Sequence, residues 1–204
     1  KRSSSAVMTE TTAIESNYLL VSCNYPSALR VNRINADGTP GEAVAQPEPI
    51  DAGIFAHQVR ATPDNRQVIL VTRGHDSSDG KAEQPGALKV FDFQAGMLSH
   101  GESVAPGGGF GFGPRHLDFH RTQPWVYVSL ERQNALDMFR LQRGRLSALP
   151  AFRKPTLADA GSGRRQLVGT VHVHPNGRTV YVANRANDTA GENSALTVRG
   201  RTHP

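Results

Sequence analysis

Six side chains have the types and spacing to do chemistry: His57, Arg73, Arg115, His116, Glu131 and Arg185. All but His116 mark the ends of three similar segments, in which the first and last residues stand sixteen apart. The pairs are His57 and Arg73, Arg115 and Glu131, and Gly169 and Arg185. Guanidinium groups bind carboxylates and phosphates through paired hydrogen bonds, and they stabilise an oxyanion. An imidazole or carboxylate beside them supplies a general base near neutral pH. A set rich in Arg that holds one Glu and two His therefore points to a site for a small anionic substrate. No metal and no cofactor is called for.

The segments that must position these groups read as β-hairpins. HQVRATPDNRQVILVTR, RHLDFHRTQPWVYVSLE and GTVHVHPNGRTVYVANR each place alternating apolar runs on either side of a turn, the pattern of two antiparallel strands. Their turn residues Pro63, Arg121 and Pro175 lie 58 and 54 residues apart, so the chain is a repeat protein. A weaker copy spans Asn17 to Ile34. With the turn in the middle, residues sixteen apart are expected to face each other across the ladder, with Cβ atoms about 5 Å apart. Repeats set around an axis would then gather the polar ends into one site.

Each hairpin is followed by a loop and another strand, Ala87-Leu88-Lys89-Val90-Phe91-Asp92-Phe93 or Ala135-Leu136-Asp137-Met138-Phe139-Arg140-Leu141, and a Gly turn. A fourth such strand begins at Ser194. Three to four antiparallel strands per repeat describe a β-propeller blade. The predicted fold is all-β, a partial propeller of about four blades over residues 17–198. Residues 1–16 read as a disordered tail or as residues foreign to the natural chain, and residues 199–204 as an irregular tail.

The 204 residues carry a formal charge of +5. The basic residues are dispersed and the aromatic ones fall on strands, so nucleic acid is not expected as a partner. Attraction for small anionic metabolites accounts for the charge. No run approaches the length of a transmembrane helix, and no membrane partner is expected. Cys23, the one cysteine, lies in an apolar strand and reads as a core residue in a reducing, cytoplasmic setting. The glycine-rich Pro106–Gly113 lacks the strand–loop–helix context of a phosphate cradle and reads as a flexible crossing between blades. His172 and His174 flank a turn and do not form a metal site.

The hairpins, the intervening GALKVFDF and above all the Gly-Pro-Arg-His and Ser-Leu-Glu segments resemble the lactonase family of seven-bladed β-propellers. That family includes propeller-type 6-phosphogluconolactonases and the fungal carboxy-cis,cis-muconate cyclase. The resemblance implies a catalytic set of His57, Arg115, Glu131 and Arg185. Arg73, added on geometry, and His116 are assigned to substrate binding. The expected reaction is hydrolysis of a sugar lactone, with 6-phosphogluconolactone the leading candidate and His57 or Glu131 as the base. The alternatives are a carboxy-muconate-type cycloisomerase and a non-enzymatic binding scaffold. Seven blades of about 40–50 residues need well over 300 residues. The chain therefore reads as a fragment, whose open blade edges favour self-association.

Overall fold

The computed structural model describes residues 7–15, 17–78, 80–157, 166–186 and 193–198. They form four antiparallel sheets laid down in chain order. The first holds β1 (Val7–Ile14), β2 (Tyr18–Tyr25), β3 (Ser27–Ile34) and β4 (Pro40–Ala43). The second holds β5 (Ala56–Ala61), β6 (Gln67–Thr72), β7 (Ala87–Gln94) and β8 (Met97–Val104). The third has β9 (Pro114–Phe119), β10 (Trp125–Leu130) and β11 (Ala135–Gln142), with β12 (Arg145–Leu146) and β13 (Phe152–Pro155) both pairing with β11. The fourth has β14 (Gln166–Val173), β15 (Val180–Ala186) and β16 (Asn193–Val198). The first strands of successive sheets pack side by side, β1 on β5, β5 on β9 and β9 on β14. These are four propeller blades.

The packing explains why the middle strands are apolar without interruption. Alternate residues of a strand face opposite sides of its sheet. On β6, Val68 and Leu70 pack toward the first blade with Leu20, Val31 and Phe91. Ile69 and Val71 pack toward the third blade with Leu117, Val128 and Phe139. All four are fully buried, and each such side chain contributes about 1.5–3 kcal/mol relative to exposure. A third cluster, Leu136 with Val168, Val171, Val173, Val180 and Val182, joins the third and fourth blades. Cys23 is buried at 3% exposure, as its apolar strand predicts.

One expectation is corrected. Residues 7–14 are not part of a tail. They form β1, paired with β2 from Met8–Cys23 to Ile14–Tyr18. The segment MTETTAI is too polar to show a core strand, because β1 lies first in its blade and alternates polar residues with a single fully buried one, Ile14. The weak repeat at Asn17–Ile34 is consequently the second and third strands of its blade, not the first and second. The expected tail at 199–204 lies outside the described residues.

Candidate active site

The residues sixteen apart do meet, but not as directly opposed pairs. In each blade the ladder between the first two strands slips near its open end. Ala56 pairs with Thr72 and Gln58 with Val71, leaving His57 in a bulge. Pro114 pairs with Leu130 and His116 with Ser129, leaving Arg115 in the next. In the fourth blade Gly169 and Thr170 occupy the slip, and Arg185 faces Leu167 instead of Gly169. Thr9 holds the corresponding place in the first blade. A bulge re-aims the side chain it carries, and a strictly regular hairpin model omits that.

Glu131 is the centre of the site and is only 5% exposed. Arg115 Nε lies 2.9 Å from its Oε1. Arg73 Nε pairs with Oε2 and an Arg185 Nη with Oε1. Three guanidiniums from the second, third and fourth blades thus surround one carboxylate. The aligned position of the first blade is Asn24, whose Oδ1 is buried with no partner among the described residues. Burial works against ionisation of Glu131, but the charges of Arg73, Arg115 and Arg185 outweigh it and hold the carboxyl below its ordinary value.

Two imidazoles stand beside this cluster. The His57 and His116 rings meet edge to face with centroids 4.8 Å apart, and Phe55 stacks on His57 at 6.2 Å. Burial, aided by the charge of Arg115, pushes His57 down to about 3 and His116 down to about 4. Both rings are neutral at pH 7. His116 Nδ1 is 3.2 Å from the Gly169 carbonyl, so that nitrogen carries the proton. His57 Nδ1 is buried without a hydrogen-bond partner among the described residues, as is Arg185 Nε. One unpartnered imidazole nitrogen and one unpartnered guanidinium N–H therefore sit in the same cluster.

Sequence spacing missed a second row of charges behind Arg73. Its guanidinium lies over the Phe55 ring at 5.1 Å and reaches Asp76 Oδ2 at 3.5 Å. Asp76 Oδ1 pairs with Arg132 Nε, and an Arg132 Nη reaches Glu83 Oε1 at 2.9 Å. The glycine-rich crossing closes the chain, since Gly111 N–H donates to Glu83 Oε1 at 2.6 Å. The crossing is therefore docked, and Gly109 shows why it needs glycine. A Cβ there would lie 2.3 Å from the Gly86 carbonyl oxygen, at a φ of +85°. The available signal was adjacency: Arg132 follows Glu131, and Asp76 lies three residues past Arg73.

With this geometry in place, relatives become informative. The family described as Lactonase, 7-bladed beta-propeller, matches residues 2–191. The chain belongs to this lactonase propeller family. It is 26% identical over 189 residues to a 6-phosphogluconolactonase of Pectobacterium carotovorum subsp. carotovorum, covering 89% of this chain and 53% of that protein. It is 27% identical over 194 residues to the 6-phosphogluconolactonase of Bacillus subtilis, covering 86% and 49%. Among solved structures, the periplasmic gluconolactonase of Pseudomonas aeruginosa superposes with a TM-score of 0.66 at 21% identity, over 93% of this chain and 52% of that one. The chain spans about half the length of the curated relatives it matches, in keeping with four blades of a seven-bladed family.

Proposed function

We propose that this chain carries the reacting groups of a lactonase that hydrolyses an anionic sugar lactone, with 6-phosphogluconolactone the leading candidate. The observation that carries this reading is the surplus of positive charge around Glu131: three guanidiniums against one carboxylate, beside an unprotonated, unpartnered His57. A cationic substrate gains nothing from that surplus, and a neutral one draws on it only as its oxyanion forms. An anionic one completes it. The names of the distant lactonase relatives support the same class of reaction.

In this mechanism Glu131 stays ionised and orients the guanidiniums, which removes it as the base. His57 Nδ1 accepts a proton from water as the water oxygen adds to the lactone carbonyl carbon. The oxyanion that forms is held by N–H groups of Arg115 and Arg185. The ring C–O bond then breaks, and the departing alkoxide takes the proton back from His57. The hydroxy acid product loses its carboxyl proton to solvent. A pKa of about 3 makes His57 a weak base in the free protein. Because neighbouring Arg charge contributes to that depression, an anionic substrate that offsets the charge raises it toward the working range.

The test is acid release from freshly prepared 6-phosphogluconolactone, corrected for spontaneous opening, in the protein bearing this chain. His57→Gln is expected to lower kcat by about 10²-fold or more with little change in Tm, and Glu131→Gln to lower both kcat and Tm, because it leaves three guanidiniums without their carboxylate. A rate equal to background in the unsubstituted protein would overturn this substrate, leaving cyclisation of a polycarboxylate or plain ligand binding as the uses of the Arg cluster.

A further inference from the structure

Glu131 and its neighbour Arg132 leave the end of β10 with opposite charges and meet a matched pair from the second blade. Glu131 pairs with Arg73, just past β6, and Arg132 pairs with Asp76 three residues further on. Arg73 and Asp76 also contact each other, Nη2 to Oδ2 at 3.5 Å. Four alternating charges therefore form a ring, closed through the peptide bond between Glu131 and Arg132, across the junction of the second and third blades. Asp76 Oδ1 and Arg132 Nε are both out of contact with solvent, so salt screens this ring weakly.

The ring is anchored on its outer side. Glu83 Oε1 accepts from Arg132 Nη1 at 2.9 Å and from the Gly111 N–H at 2.6 Å, and the Glu131 N–H donates to the Gly113 carbonyl at 3.0 Å. The connection that carries Asp76 and Glu83 returns to the blade without slack. A Cβ on Gly86 would lie 2.6 Å from the Arg73 carbonyl oxygen and 2.8 Å from Pro114 Cδ, and Pro114 precedes Arg115.

The two oxygens of Glu131 consequently have different surroundings. Oε2 faces Arg73, whose charge is shared with Asp76 and whose guanidinium lies over the Phe55 ring at 5.1 Å. Oε1 takes both Arg115 and Arg185, neither of which has another carboxylate partner among the described residues. Arg185 is the most open of the three, its side chain 40% exposed against 18% for the other two. The terminal torsion of a glutamate is intrinsically broad. Without a partner on Oε2, the carboxylate could turn to chelate Arg115 and Arg185 and cancel the charge they offer.

We infer that Asp76 and Arg132 are positioning residues, which fix Arg73 on Oε2 so that Glu131 presents Oε1, with the unmatched charge of Arg115 and Arg185, to the substrate. Arg73 is then a brace and not a substrate-binding group. Holding such donors in place before the reaction is what makes an oxyanion site effective. The inference deepens the lactonase reading, and its kinetic consequences rest on that reading.

The test follows the Arg73 Nε–H by nitrogen-15 NMR in the protein bearing this chain, with Asp76→Asn and Arg132→Gln. Either substitution is expected to speed exchange of that proton with solvent by about two- to thirtyfold. The value of kcat on a lactone should fall by a similar factor with KM little changed, and Asp76→Glu, which keeps the charge, should recover most of both. In an Arg73→Gln background, Arg132→Gln should cost no further kcat while still lowering Tm. Unchanged Arg73 Nε–H exchange in both variants would overturn the inference, as would a kcat loss from Arg132→Gln that persists undiminished in the Arg73→Gln background. If the unsubstituted protein opens no lactone faster than background, the hydrolytic reading fails, and the exchange rate of the Arg73 proton still decides whether the brace exists.

Discussion

Asp118 and Glu131 are both buried carboxylates at blade junctions, and they are satisfied in opposite ways. Asp118, 3% exposed, accepts Arg60 Nη2 at 3.0 Å and the Phe119 N–H at 2.9 Å on one oxygen, and the Val173 N–H at 2.8 Å on the other. One cation balances one anion, and the remaining lone pairs go to backbone, so three blades are stitched with nothing left over. Asp137 follows the same rule, taking both of its bonds, each 2.7 Å, from Arg153. Glu131 instead faces three cations, one of which, Arg73, it shares with Asp76. A saturated buried pair holds a fold together, whereas an unbalanced one is poised for a ligand that supplies the missing charge.

Removing one charged group from each kind of site should break the comparison most clearly. Arg115→Ala is expected to cost about 10²–10³ in kcat on an anionic lactone, with Tm nearly unchanged, because it removes an oxyanion donor from a site with cations to spare. Asp118→Ala should do the reverse. It strands the Arg60 charge and two backbone N–H groups and costs about 3 kcal/mol in denaturant unfolding. If Arg115→Ala instead unfolded the protein and Asp118→Ala left it intact, the distinction between saturated and unbalanced sites would be wrong.

Gly109→Ala tests whether the glycine-rich crossing is a buttress. Its Cβ would collide with the Gly86 carbonyl, so a loss of about 2 kcal/mol is expected, readable as faster amide exchange around Gly111. Retention of wild-type exchange there would show that the crossing bears no load.

A further effect is in pH. His57 and His116 have folded pKa values depressed to about 3 and about 4 from an ordinary 6.5. Below pH 6.5 the unfolded chain binds protons that the folded chain refuses, so stability is full above that pH and falls as pH drops toward 4. The slope per His is about 1 kcal/mol per pH unit. The Glu131 carboxyl, held below its ordinary value, adds a further loss only when pH falls below 4.5. His57→Gln combined with His116→Gln should flatten the curve between pH 6.5 and 4.5. An unchanged slope would mean that the imidazoles are not the proton-refusing groups.

The sequence alone determined the blades and the membership of the charge cluster. The uninterrupted apolar run at Val68–Val71 and the alternation at Val126–Leu130, with turns at equivalent spacing, leave no other economical way to bury those side chains. Equivalent positions in repeats around one axis must converge, so His57, Arg73, Arg115, Glu131 and Arg185 were legible together. Only the tertiary structure decided three further things. The polar strand β1 exists because β2 and β5 offer its backbone and Ile14 a place, a long-range effect that local propensity does not encode. The bulges at His57 and Arg115 arise where the blade ladders slip, which two-residue periodicity cannot register. The pairing of Asp76, Glu83 and Arg132 depends on two loops docking across two blades. Charge balance is a property of which groups touch, and contact between residues distant in the chain is set by packing.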